Sequence, residues 1–465
     1  MAATANKSSK NRYDLTQGNI FKRLILLALP VMGGQFMQMA YTLADMFWLG
    51  SLSSDAVAAS STAGMFIWMS MGLMMMVRIG TEIGVSQSVG SGDSSAAKSY
   101  TQSAFSLAIL LGLGFAAFVI LGRVPLIGFF EIPSEQVIYY SQVYLAISGV
   151  SIPFMYASAV IAGCFAGHGN TRLPFLAQST GLIINIFLSP MLIFWADLGI
   201  AGAAYATIVA RIIELSLLIA AIKLHKSRPF EKFALLVKPI RKYLRNILKW
   251  GVPVACEITL FAMLAMIPAR LIAEHGVYAM AVQRVGFQLE SLSWMVGAGF
   301  GTAVTAFVGQ NFGAGQWARI HKGFKVALVS MSVWGSVVSL FLFIYAEPLI
   351  SIFLRSPEEI ALGGTLLRIL AICQIPQSIE GSMAACFRGR GKTLQPSIVS
   401  ITTNLLRVPL AIFLNSIIGV FGIWLAMAIG GAARGTWLLL WYLWDSRKLP
   451  RENTFADNTT EMSHV

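Results

Sequence analysis

An aspartate stands inside a long apolar run with hydrogen-bonding neighbours at helical spacing. Gln38, Tyr41 and Asp45 are spaced i, i+3, i+7, so on a helix they share one face. A carboxylate in hydrocarbon costs about 2.5–3.5 kcal/mol on insertion scales and needs a reason to be there. Burial favours its neutral form, so such an acid can take up and release a proton, or meet a cation. A second polar face, Gln178, Asn185 and Ser189 (i, i+7, i+11), lies in another apolar run. Asn185, Ser189 and Thr207 add oxygens that, with Asp45, suit a hard cation such as Na⁺. Na⁺ is thus possible at Asp45 and Asn185, although a lone acid suits a proton better. Two further acids, Glu257 and Glu290, sit inside apolar runs, with Gln283 on the face of Glu290. Counting along its run places Glu257 near the bilayer midplane. Arg78, Arg211, Arg284, Arg407 and Arg434 are also in or near such runs. Arg78 with Glu82 and Arg211 with Glu214 read as local ion pairs that are structural or near the cytoplasmic ends. Arg407 has no local partner, and Glu257 or Glu290 could pair with it.

The elements that position these residues are membrane helices. Hydrophobic residues make up 56% of the 465 and charged residues 12%. A soluble chain carries about 25% charged residues. Many apolar runs reach the length of about 20 residues that crosses a bilayer. Twelve spans are expected at 20–49, 56–88, 98–121, 136–164, 174–195, 200–222, 244–273, 277–310, 321–345, 358–386, 394–415 and 420–444. The fold class is therefore an all-α polytopic membrane protein. No Walker A, HExxH or nucleophile-elbow motif is present, so enzyme readings find no support. Cys164, Cys256, Cys373 and Cys386 have no metal spacing and read as small buried side chains.

The chain is also duplicated. Pro30 in LALPVM aligns with Pro253 in WGVPVA, an offset of 223. Gln87, Gly90 and Gly92 align with Gln310, Gly313 and Gly315 at the same offset. CFAGHGNT (Cys164–Thr171) meets CFRGRGKT (Cys386–Thr393) at 222. Two pseudo-symmetric six-helix lobes follow, at 20–222 and 244–444, around a basic linker at 223–243, with tails at 1–19 and 445–465.

The net charge of +13 does not point to nucleic acid, because of where it lies. The connection 223–249 holds nine Lys or Arg and one Glu. Other basic clusters fall on the same side of the membrane. The opposite side carries Asp55, Glu131, Glu135, Asp197, Glu274, Glu347, Glu358 and Glu359. The positive-inside rule then places both termini and the linker in the cytoplasm of a multi-pass protein of the plasma (inner) membrane. The linker is expected to lie partly on the anionic inner leaflet.

These pieces together resemble the multidrug and toxic compound extrusion (MATE) family over Ile20 to about Trp444. The motifs that carry the resemblance are LALPVM…YTLADMFWLG, SQSVGSGD and GQNFGAGQ, GHGNTRLP and GRGKTLQP, NIFLSPMLIF, and LGIAGAAYAT. The resemblance implies twelve helices around a central cleft, and export of organic cations in exchange for H⁺ or Na⁺. It implies cation coupling through the aspartate matching Asp45 and a cation or substrate role for Glu257. The family often has an acid where this chain has Ser189, which weakens a two-carboxylate Na⁺ site. The expected cation-coupling set is Asp45, Asn185, Ser189, Thr207 and Glu257. The expected substrate set is Gln38, Tyr41, Asp45, Gln178, Asn185, Gln283 and Glu290. Pro30, which cannot complete the helical ladder, is the expected hinge. The chain is expected to act as a monomer without cofactor, its partners being organic cations and the bilayer. A lipid-linked oligosaccharide or organic-anion flippase of the same superfamily is the alternative, favoured if the in-span arginines line a cavity. A non-transport sensor or scaffold is disfavoured by the duplication.

Overall fold

The computed structural model describes residues 13–225 and 228–450. The outer parts of the two expected tails, 1–12 and 451–465, and linker residues 226–227 lie outside the described residues.

The described chain is helical throughout. The first half runs α1 (Ile20–Leu52), α2 (Ser54–Met69), α3 (Met71–Gly90), α4 (Ser94–Leu121), α5 (Arg123–Gly128), α6 (Glu135–Gly149), α7 (Ile152–Gly167), α8 (Arg172–Pro190) and α9 (Gly199–Leu224). The second half runs α10 (Arg241–Ala273), α11 (Val277–Gly313), α12 (Trp317–Ile344), α13 (Ala346–Ser351), α14 (Pro357–Gly389), α15 (Leu394–Ile418) and α16 (Val420–Ser446). Among the described residues, eleven stretches are long and apolar enough to cross a membrane, α2 and α3 counting as one, and the pair α6–α7, bent by 43°, makes a twelfth if it is one span.

The duplicated glycines mark helix ends. Gly92 (φ 76°) and Gly315 (φ 65°) follow the ends of α3 and α11 in the left-handed region, and Gly169 (φ 82°) and Gly391 (φ 75°) follow α7 and α14. A side chain there costs about 1–2 kcal/mol, which glycine avoids. Behind each turn a backbone N–H reaches back over five residues to an orphan carbonyl: Asn170 to Phe165 (2.9 Å) and Lys392 to Phe387 (3.0 Å). Packing repeats as well. A Cβ on Gly112 would stand 2.7 Å from Pro153 Cα, and one on its counterpart Gly335 would stand 2.8 Å from Ile375 Cα. Only glycine lets these helix backbones approach so closely.

Three features depart from the sequence expectation. The second span breaks at Ser70, whose carbonyl accepts a hydrogen bond from the Tyr156 hydroxyl (2.7 Å) in addition to the helical one from the Met74 N–H (3.1 Å). The fifth span ends in a π turn, Met191–Trp195. The linker is bonded to α4 rather than lying free. Gln102 Nε2 donates to the Ala234 carbonyl (2.9 Å), Ser106 Oγ to Val237 (2.8 Å), and the Ile240 N–H to Ser103 Oγ (3.2 Å). Phe230 and Phe233 stack and are buried in the core of this half.

Two compact units emerge from the packing. One contains Leu29–Ala255; the other contains Leu15–Ala28 and the chain from Cys256 onward. The expected lobes follow the repeat, whereas these units follow packing. Both α1 and α10 change unit beside a proline: between Ala28 and Leu29 next to Pro30, and between Ala255 and Cys256 next to Pro253. Pro30 itself stays inside an unbroken α1. In the second unit the entry to α1 is clamped. The Leu15 N–H donates to Gln310 Oε1 (3.0 Å), while Asn311 Nδ2 and Arg319 Nε donate to the Leu15 carbonyl (3.2 Å each).

Candidate functional site

In the first unit, α1, α8 and α9 bring four expected side chains into one network. The Tyr41 and Thr207 hydroxyls are 3.1 Å apart. Asn185 Nδ2 donates to Thr207 Oγ1 (3.4 Å), and Ser189 Oγ donates to Asn185 Oδ1 (3.0 Å). Asn185 and Ser189 are each 1% exposed. Thr207 in turn donates to the Ala203 carbonyl (3.1 Å). Helical spacing explains the arrangement: Asn185 and Ser189 are one turn apart on α8, as are Ala203 and Thr207 on α9.

Asp45 lies one turn beyond Tyr41. Its Oδ1 is buried without a hydrogen-bond partner, and so is Trp48 Nε1 one turn further on. Asp45 therefore does not serve as a helix cap. A buried, unsatisfied carboxylate oxygen costs about 1–3 kcal/mol or more, and a proton or a cation removes that cost. Tyr144 on α6, buried, is within electrostatic reach of both Asp45 and Tyr41.

A narrow cleft opens beside the network, lined by Tyr41, Asn185, Thr207, Gly181, Arg211 and Glu214 among others. Arg211 Nη1 donates to Glu214 Oε2 at 2.7 Å. The pair forms part of the cleft wall. Gly181 leaves room there, since a Cβ would stand 2.9 Å from the Ala210 carbonyl. Gln178 belongs to the α1–α8 seam, its Oε1 2.9 Å from where a Cβ on Gly34 would be. Gln38 is half-buried on α1, and its carbonyl accepts from Thr42 Oγ1 (3.0 Å).

The other expected residues belong to the second unit. Glu257 accepts from Ser397 Oγ (2.9 Å) and pairs with Arg388 (3.5 Å). Arg388 is in the last turn of α14 and Ser397 in the first turn of α15. Glu257 thus lies level with the end of α14 and the start of α15, although it is mid-way along the 33 residues of α10. Glu290, 3% exposed, accepts from Gln374 Nε2 (3.4 Å). The Gln377 amide, oriented to satisfy both ends, donates to Glu290 (3.2 Å) and accepts from Trp294 Nε1 (3.2 Å). Gln283 Oε1 is buried without a partner. Arg407 pairs with neither Glu257 nor Glu290, and its guanidinium lies over the Phe261 ring at 5.7 Å. The sequence carried no sign of Gln374, Gln377 or Trp294, since nothing in one helix marks its bonds to another.

Two networks of buried polar side chains in duplicated helical halves fit a membrane transporter, and comparison with known proteins agrees. The family model described as MatE matches twice, over residues 30–191 and 253–413. The chain is 29% identical over 443 residues to the "Probable multidrug resistance protein NorM" of Thermotoga maritima, covering 92% of this chain and 94% of that one. It is 26% identical over 467 residues to the "FAD transporter" of Shewanella oneidensis, covering 96% and 99%. A solved "outward-facing conformation of a multidrug resistance MATE family transporter of the MOP superfamily" superposes with a TM-score of 0.86 at 20% identity, over 95% of this chain and 99% of that one. With both copies of the repeat matched and the helical architecture shared, this chain belongs to the MatE family of multi-pass membrane transporters.

Proposed function

We propose that the protein is a secondary active antiporter that exports amphipathic organic cations by alternating access, with the proton as coupling ion. The observation that carries this reading is the buried, unpartnered carboxylate oxygen of Asp45, one turn from the Tyr41–Thr207–Asn185–Ser189 network. A cation and a proton compete for such a group, and competition at one acid is sufficient for exchange. Ser189 in place of a second acid leaves a single carboxylate, which favours H⁺ over Na⁺; a Na⁺ ion would need the neutral oxygens of Asn185, Ser189 and Thr207 as well. The NorM relative, named as a probable multidrug resistance protein, supports drug export. The protein acts as a monomer in the plasma membrane with both termini cytoplasmic, in line with the basic residues of 223–249.

The test is ethidium export into everted membrane vesicles. It survives removal of Na⁺, collapses with a protonophore and is lost in Asp45→Asn. Strict Na⁺ dependence contradicts the proton reading.

A second reading, export of organic anions, draws on the mid-helix Arg407 and on the relative named a FAD transporter.

A further inference from the structure

Several arginines in or at the ends of the helices are neutralised by ion pairs. Arg211 pairs with Glu214, Arg388 with Glu257, Arg390 with Asp445 and Arg434 with Glu380. Arg407, near the middle of α15, takes part in none of the ion pairs among the described residues. Its Nε is buried and has no hydrogen-bond partner. The acid of the same interior, Glu290, is held by two glutamine amides instead.

The surroundings are built to hold this guanidinium. Gly430 on α16 leaves space for the Arg407 stem: a Cβ there would stand 3.3 Å from Arg407 Cδ. The next residue, Gly431, has the Gln377 amide carbon 4.0 Å from where its Cβ would be. The paired glycines thus put Arg407 beside the Gln377–Glu290–Trp294 group. Phe261 lies under the guanidinium. A cation–π contact offsets only part of the cost of placing an arginine in the middle of a span. The ring also leaves the Nε donor unmet. Glu290 is within electrostatic reach of Arg407 but forms no ion pair with it; the partner still lacking is planar or tetrahedral oxygen, which the guanidinium fork meets with two parallel bonds.

We propose that Arg407 is the receptor for a carboxylate or phosphate group on an aromatic substrate, at a site in the second unit that is separate from Asp45. Phe261 supplies aromatic surface beside it. The assignment rests on the reading of the chain as an exporter and names a further class of substrate for it.

The test uses the full-length protein in nanodiscs of phosphatidylcholine, with flavin mononucleotide and riboflavin as probes. They share one aromatic ring system and differ by a phosphate. Binding is followed by flavin fluorescence. The wild type binds the phosphorylated probe at least about tenfold more tightly, the gain expected of a charge-assisted bidentate contact. Arg407→Gln brings the ratio to about one, and Arg407→Lys falls between, because it keeps the charge and loses the fork. Equal binding of the two probes by the wild type overturns the proposal without any variant being needed. An unchanged ratio in Arg407→Gln overturns it too. Nanodiscs doped with phosphatidylglycerol separate the two sources of an anionic group: loss of probe binding there assigns the arginine to a lipid headgroup and overturns the substrate role. Cation export that depends on Asp45 alongside failed flavin discrimination sinks this site alone, and the converse sinks the cation reading alone.

Discussion

Ser189 Oγ donates a 3.0 Å hydrogen bond to Asn185 Oδ1, which ties the hydroxyl at this position to its neighbour one turn back on α8. Both side chains are buried, and both face Thr207 and Tyr41 through the same network.

Ser189→Asp places a second carboxylate in that network. Two like charges in one buried site cannot both stay ionised without a cation between them. Export by this variant is expected to gain Na⁺ dependence, read as a faster ethidium efflux rate with added NaCl at fixed pH. An efflux rate that ignores Na⁺ shows that position 189 has no part in ion choice.

Glu257 was expected to couple cations, but Ser397 and Arg388 hold it at the level of helix ends. Glu257→Gln should therefore retain export while its thermal unfolding temperature in detergent falls. Breaking one partner of a largely buried pair leaves the other uncompensated. Glu257→Gln combined with Arg388→Gln should recover part of the loss. A variant of wild-type stability that exports nothing would restore the coupling role.

The close approach of α4 and α7 gives a matched pair of substitutions. A methyl at Gly112 would meet the Pro153 backbone at 2.7 Å, whereas one at Gly114 has nothing within 4 Å. Gly112→Ala should destabilise by about 1–3 kcal/mol. Gly114→Ala should be neutral or slightly stabilising, since alanine is the better helix former. Equal melting temperatures for the two would refute the packing described for this seam.

His168, in the turn after α7, packs its ring against Phe230 at 5.3 Å, and its Nδ1–H donates to the Cys164 carbonyl (2.9 Å). Burial pushes its pKa down from 6.5 to about 4, against the smaller opposing pull of that carbonyl. The unfolded chain thus takes up a proton first as the pH falls. Stability from this group is complete above about pH 6.5 and is lost progressively down to about pH 4. His168→Gln should flatten the melting temperature in that window. An identical slope in the variant would show that His168 is not responsible.

The duplication was legible because its marks are glycines that backbone geometry demands: Gly92 and Gly315, Gly169 and Gly391 occupy left-handed turns that other residues resist. The spans were legible from their apolar length. The break at Ser70 was not, since serine is no strong helix breaker and the hydroxyl that stabilises the break comes from Tyr156, 86 residues away. The short helices α5 and α13 were missed as well; each spans six residues, too few for a periodic pattern. Polar residues one or two turns apart on a single helix could be grouped by face from their spacing. Cross-helix pairing could not be read: nothing near Glu257 in the sequence marks Ser397 or Arg388 as its partners.

The central claim is that Asp45 exchanges a proton for a cationic substrate. It is tested most directly with purified protein in proteoliposomes that hold a pH-sensitive dye. An imposed ethidium gradient drives proton counterflow in the wild type, without Na⁺ on either side. Asp45→Asn binds ethidium but moves no protons. Proton movement at the wild-type rate in Asp45→Asn, or none in the wild type until Na⁺ is added, contradicts the account.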